Sequence, residues 1–146
     1  VAKVKQYKTD KDKMINSRNK GAAFERHIAK LLNEFFKKND IDFKCKRNLE
    51  QYQEKELGDL DIPNHTIECK RYASGNWYKE DWWAQVVSAC GGKTPVLIWK
   101  YNHQPIRVCI PRHVLTNYHW EIEEPDNNKT VVLPFEGWLE ILVNNL

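Results

Sequence analysis

Residues 58–71 read GDLDIPNHTIECKR, two short alternating runs on either side of Pro63-Asn64-His65. In a strand, side chains alternate between faces. Asp59 and Asp61 therefore share one face, Glu68 and Lys70 share one face, and Ile62 and Ile67 fall together on the other. With Asn64-His65 as the two central residues of a tight turn, Asp61 lies opposite Glu68 and Asp59 opposite Lys70. Directly opposed side chains have Cβ atoms about 4.5–5.5 Å apart. Such a hairpin gathers carboxylates fit for a hard cation, with one ammonium beside them. Those groups suit metal-assisted hydrolysis of a phosphodiester.

The chain around this hairpin has 146 residues, enough for one domain with one core. A hydrophobic share of 41% and six tryptophans fit a globular protein. No apolar run approaches the roughly 18 residues that suggest a membrane span. The polar, lysine-rich N-terminus lacks a signal-peptide pattern, so a soluble, intracellular protein with no membrane partner is expected. Net charge is +3, unevenly spread. Residues 1–20 hold seven Lys or Arg against Asp10 and Asp12, leaving 16 basic and 18 acidic residues in the rest. A basic arm ahead of a near-neutral body is one way to hold a polyanion; a solvated terminus is the plainer reading. The four cysteines, at 45, 69, 90 and 109, are widely spaced and read as small buried hydrophobes rather than as a zinc site.

Residues 1–17 show no apolar period and are expected to form a basic, flexible arm before a single domain over 18–146. From Gly21 the pattern is helical, with Phe24, Ile28, Leu31, Leu32 and Phe35 at spacings of three and four, ending at Asn39-Asp40. Ile41, Phe43 and Cys45 alternate with polar residues and predict a strand. Residues 48–57 read as a polar loop. Beyond the hairpin, Asp81 is a candidate cap for a helix with Trp83, Val86, Val87 and Cys90 inward, stopped by Gly91-Gly92. The PVLIWKY run at 95–101 predicts a central strand covered on both faces, and Ile106, Val108 and Ile110 a further strand. The core thus spans about 20–111. The tail, 112–146, reads as an appendage with a short strand at 131–133 and a helix from about Phe135. The order predicts an α/β fold, a mixed central sheet flanked by helices. Gly92-Lys93-Thr94 imitates the end of a phosphate-binding loop, but Val87 stands where the first glycine is required.

Several of these residues together resemble the PD-(D/E)XK nuclease superfamily, and within it the archaeal and phage Holliday junction resolvases. They are Lys20-Gly21-x-x-Phe24-Glu25-Arg26, Gly58-Asp59, Glu68-Cys69-Lys70-Arg71, Trp83-x-Gln85 and the strand Pro95-Val96-Leu97-Ile98. The resemblance implies a restriction-endonuclease-like core. It also implies that Glu25, Asp59 and Glu68 bind Mg²⁺, with Mn²⁺ as a substitute, while Lys70 positions or activates water. Gly58 stands where the motif has proline, and Asp61 offers a second aspartate on the same face as Asp59, so both remain candidate ligands. The Cys69 carbonyl is a further candidate oxygen. Gln85 is a candidate to contact a phosphate or a metal-bound water, with an ordinary boundary glutamine as the alternative. Arg18, Lys20, Arg71 and Lys79 are candidate contacts to backbone phosphates. Trp77, Tyr78, Trp82 and Trp83 form an aromatic run that supplies core and either a base-stacking surface or a subunit interface.

The implied activity is endonucleolytic hydrolysis of branched DNA, four-way junctions above all, by a symmetric homodimer with paired sites. It would act inside a prokaryotic cell or a phage-infected host. The same chemistry on other DNA, restriction-type or repair, and a non-catalytic DNA-binding module on the same fold are the alternatives.

Overall fold

The computed structural model describes residues 9–48, 58–118 and 125–146, with the side chains of 12–18 and 116–118 left aside. Most of the polar loop expected over 48–57 lies outside the described residues. So do the first eight residues of the expected arm.

Helix α1 spans Asp10–Lys38 and so begins well before Gly21, inside the segment expected to be a flexible arm. Residues 10–20 carry no apolar stripe, and hydrophobic periodicity reports a buried face rather than helicity. Where the stripe begins, Phe24, Ile28, Leu32 and Phe36 are buried at successive intervals of four, with Leu31 and Phe35 partly covered beside them. The helix ends as foreseen at Asn39-Asp40. Asp40 takes a left-handed backbone (φ 55), while the amides of Asp40 and Ile41 donate back to the carbonyls of Lys37 (3.3 Å) and Phe36 (2.8 Å). That is a Schellman closure with aspartate in the usual glycine position.

The strand expected at Ile41–Cys45 does not form. Only Arg47 pairs with the sheet, in an isolated bridge to Leu60. The Asn33 side chain takes the place of a neighbouring strand, donating to the Cys45 carbonyl (3.0 Å) and accepting from the Cys45 amide (2.7 Å). Both backbone groups of Cys45 are met by this one amide side chain, and the Ile41 and Phe43 amides bond to the Phe36 and Ile41 carbonyls rather than to a strand.

Among the described residues, five strands form one sheet in the order β1-β2-β3-β4-β5. They are β1 (Leu60–Ile62), β2 (His65–Tyr72), β3 (Thr94–Tyr101), β4 (Arg107–Pro111) and β5 (Thr130–Pro134). The pairing of β2 with β3 is parallel and the rest are antiparallel, so the sheet is mixed as expected. Parallel neighbours need a crossover, and α2 (Glu80–Ala89) supplies it. Its N-cap is Lys79 rather than Asp81. Glu80 and Asp81 instead occupy the first turn, where carboxylates favour the positive end of the helix dipole. Gly91 (φ 52) follows the C-cap Cys90, as the glycine pair suggested.

Strand β3 shows why its sequence is apolar throughout. Val96 and Ile98 face the core shared with α1 and α3 (Phe135–Leu142), whereas Leu97, Trp99 and Tyr101 face the core under α2. The tail is part of this architecture. β5 pairs along β4, and Phe135, Trp138 and Leu142 are buried in the α1-side core. All four cysteines are free thiols and buried. Among the described residues, no helix is long and apolar enough to cross a membrane.

Candidate active site

The hairpin turns at Pro63-Asn64, not at Asn64-His65. The register pairs Leu60 with Ile67, Asp61 with Thr66 and Ile62 with His65. Proline presets φ for the first central position, and Asn64 adopts the positive φ (64°) needed at the second, the pattern of a type II turn. His65 is thereby drawn into the strand, buried, with Nδ1 2.6 Å from the Pro63 carbonyl. Compared with the register read from sequence, every pair moves by two residues. Faces are preserved under such a shift, but partners are not. Continuing the ladder one step sets Asp59 opposite Glu68, while Asp61 lies opposite Thr66.

Asp59 is 7% exposed and Glu68 3% exposed. Asp59 Oδ2 accepts the Cys69 amide at 2.8 Å, taking a donor that β1 does not reach. Glu68 lies close enough to Asp59 to hydrogen-bond with it. Burial, then the Asp59 charge and that hydrogen bond, push the Glu68 carboxyl up to about 9, against the opposing pull of Lys70. Glu25 reaches the same cluster from α1. Its carboxyl is also raised, first by burial and then by Asp59, and is pulled back by Arg47, whose Nε donates to Glu25 Oε2 at 2.7 Å. Arg47 had no signal in the sequence beyond a basic run, because its partner lies 22 residues away.

Along β2, Glu68, Lys70 and Tyr72 face α2 on successive rungs. Lys70 Nζ donates to Gln85 Oε1 at 2.8 Å, and one turn earlier on α2 Trp82 stacks on Tyr72 (5.1 Å between centroids, 7° between planes). Lys79 extends over both of these rings, 5.9 Å from Tyr72 and 5.8 Å from Trp82. The structure thus brings Glu25, Asp59, Glu68, Lys70 and Gln85 into one region.

Asp61 is engaged elsewhere, accepting from Asn48 Nδ2 at 2.6 Å with Lys93 Nζ at 3.9 Å. Cys69 itself points into the α1-side core, and burial pushes its thiol well up. Arg71 donates to the Tyr72 carbonyl and to Asn102 Oδ1, both at 2.6 Å. Lys20 is half-buried on α1, five residues before Glu25, and the Arg18 side chain lies outside the described residues. Of the aromatic run, Trp82 and Trp83 are buried, whereas Trp77 is 52% exposed.

Gly58 has a steric reason. A Cβ there would sit 2.7 Å from the Ile67 carbonyl oxygen and 2.7 Å from Thr66 Cγ2. Glycine lets the chain pass close to β2 and delivers Asp59 beside Glu68. Gly58→Ala is expected to destabilise the fold by about 1–3 kcal/mol, as overpacking does. Thermal unfolding checks this, and a variant as stable as the parent would contradict it.

Among the described residues, no three His, Cys, Asp or Glu side chains form a ready-made cation cage. The donor chemistry nevertheless fits a hard divalent ion. Two crowded, buried carboxylates retain a proton unless a cation compensates them, and Mg²⁺ needs few protein oxygens because it keeps several waters.

A mixed sheet flanked by helices, with a buried acidic pair and a lysine two residues beyond its glutamate, defines the PD-(D/E)XK nuclease class. Residues 16–141 match the family described as "Phage putative PDDEXK endonuclease", and the chain belongs to that family. The match extends through β5 and into α3, in keeping with their place in the sheet and core. No curated protein matches the chain.

Proposed function

We propose that this protein is a Mg²⁺-dependent endodeoxyribonuclease that hydrolyses phosphodiesters in branched DNA, four-way junctions foremost. The observation that carries the catalytic reading is the Asp59–Glu68 pair with the Lys70–Gln85 contact on the next rung. Asp59 and Glu68 would hold the metal, joined by Glu25 and by a main-chain oxygen such as the Cys69 carbonyl. Mn²⁺ would serve in place of Mg²⁺. When bound, the ion supplies an acidified water and neutralises charge developing on the phosphate.

The protein's own groups do the positioning. The Gln85 carbonyl fixes the Lys70 ammonium, whose remaining protons are free to orient a nucleophilic water or a phosphate oxygen. Burial of Glu68 excludes bulk water from one side of that point. Arg71, Lys79, Lys20 and Arg18 are proposed to hold duplex arms through phosphates. Asp61, tied to Asn48 and Lys93, is proposed to support the hairpin rather than to bind metal.

The junction as substrate and a two-fold homodimer rest on the resemblance. The exposed Trp77 supports the dimer as a surface able to pack against a partner subunit. The protein would act inside a prokaryotic cell or a phage-infected one.

The test is a cleavage assay with Mg²⁺ on a synthetic four-way junction, a linear duplex of the same sequence and the single strand. Junction cutting at least about tenfold faster than the others is expected. Equal cutting of all three would overturn the junction proposal and leave a general nuclease.

A further inference from the structure

The α1 side of the site carries a second feature, unused by the chemistry above. Arg26, Lys30, Asn33 and Lys37 follow one another at spacings of four, three and four, so they form a row on one helix face. The chain at 45–47 runs beside this row because Asn33 clips Cys45 through both amide and carbonyl. Lys46 and Arg47 therefore form the opposite wall of a groove of about 670 Å³. Among the described residues, five cations line it against one carboxylate, Glu34.

Arg26, Lys30, Lys37 and Lys46 are all exposed, and none forms a salt bridge with a described residue. Lys37 lies in the last turn of α1, where the helix dipole favours a cation. Arg26 and Lys30 lie in mid-helix and have no such reason. Like charges such as these four, gathered along a fixed groove with no salt bridge to a described residue, call for an anionic occupant. Arg47 connects the groove to the site, since it both lines the groove and bonds Glu25.

We propose that this groove seats one strand's phosphate backbone of a duplex arm, leading outward from Asp59 and Glu68 along α1 to Lys37. The inference rests on the nuclease reading and extends it to the footprint of the substrate. Among the described residues no aromatic side chain lines the groove, so bases find no stacking partner on its walls, which favours a duplex backbone over a single strand. From Arg26 to Lys37 the helix rises about 17 Å. At about 3.4 Å per nucleotide along a strand, that spans roughly five nucleotides beyond the cut.

The test compares the parent with the triple variant Lys30→Ala/Lys37→Ala/Lys46→Ala, using fluorescence anisotropy of a labelled four-way junction in EDTA across a salt series. Three lost phosphate contacts should make the log–log salt slope shallower by about 2.7 and weaken binding at least about tenfold at roughly 50 mM salt. The maximal single-turnover cutting rate with Mg²⁺ at saturating DNA should be unchanged, as should the unfolding temperature. Trimming an arm from about ten to about three base pairs, around the proposed five-nucleotide span, should weaken the parent more than the variant. An unchanged salt slope and an equal response to trimming, in a parent that cuts DNA, would overturn the groove alone. A parent that cuts no DNA would instead overturn the nuclease reading on which the groove rests.

Discussion

Glu68→Gln and Lys70→Ala are each expected to lower the single-turnover cleavage rate by about a thousandfold or more, while junction affinity stays near that of the parent. The magnitude follows from removing a charge that acts on the transition state within a partly water-excluded site. Both substitutions should be tolerated structurally. Glutamine is isosteric with glutamate and retains a donor toward Asp59. Lys70 lies at the surface end of its rung, against an exposed Gln85. The aspartates divide by the same logic. Asp59→Asn should be as inactive as Glu68→Gln, whereas Asp61→Asn should cut within about tenfold of the parent, because Asn48 can donate to an amide oxygen as readily. Rates on a labelled junction, with binding measured in Ca²⁺, check all four variants. Normal cutting by Glu68→Gln, or loss of cutting in Asp61→Asn alone, would put the site elsewhere.

The second large effect is on stability. A carboxyl whose folded pKa is raised binds its proton more tightly in the native state than in the unfolded one, so stability falls as pH rises between the two values. For Glu68 that interval runs from 4.5 to about 9. The raised carboxyl of Glu25 acts in the same sense. Buried His65, with its pKa lowered, acts in the opposite sense, destabilising the fold as pH falls through about 6.5. The difference between parent and Glu68→Gln isolates the pair.

In EDTA, the unfolding temperature of the parent should fall relative to the variant by roughly 5 °C or more between about pH 5 and pH 8. Millimolar Ca²⁺ should restore most of that loss in the parent and little in the variant, since a ligand bound only by the native state stabilises it. Parallel curves for the two proteins would mean that Glu68 is not held against Asp59.

Much of the fold was legible because it is written in local periods. The α1 stripe from Phe24, the twice-covered run at 95–101 and the glycine stop after α2 each follow from spacing alone. The differences between sequence and structure each have their own cause. Ile41–Cys45 alternates as a strand does, yet the Asn33 side chain from α1, not a neighbouring strand, meets both backbone groups of Cys45. The sequence of the first turns of α1 carries no apolar stripe and so gives no periodic signal. The turn of the hairpin was misread by one residue because Pro63-Asn64 and Asn64-His65 are both credible turn pairs until His65 is seen to be buried.

That single residue moved every partner by two. By itself, the sequence determined which chemical groups are present and which share a face, since alternation along a strand is a local property of the backbone. Only the tertiary structure decided that Asp59, not Asp61, meets Glu68, that Gln85 holds Lys70, and that Arg47 links Glu25 to a basic groove. Those pairings join residues 9 to 22 positions apart, and their geometry depends on turn type and helix docking rather than on any repeat along the chain.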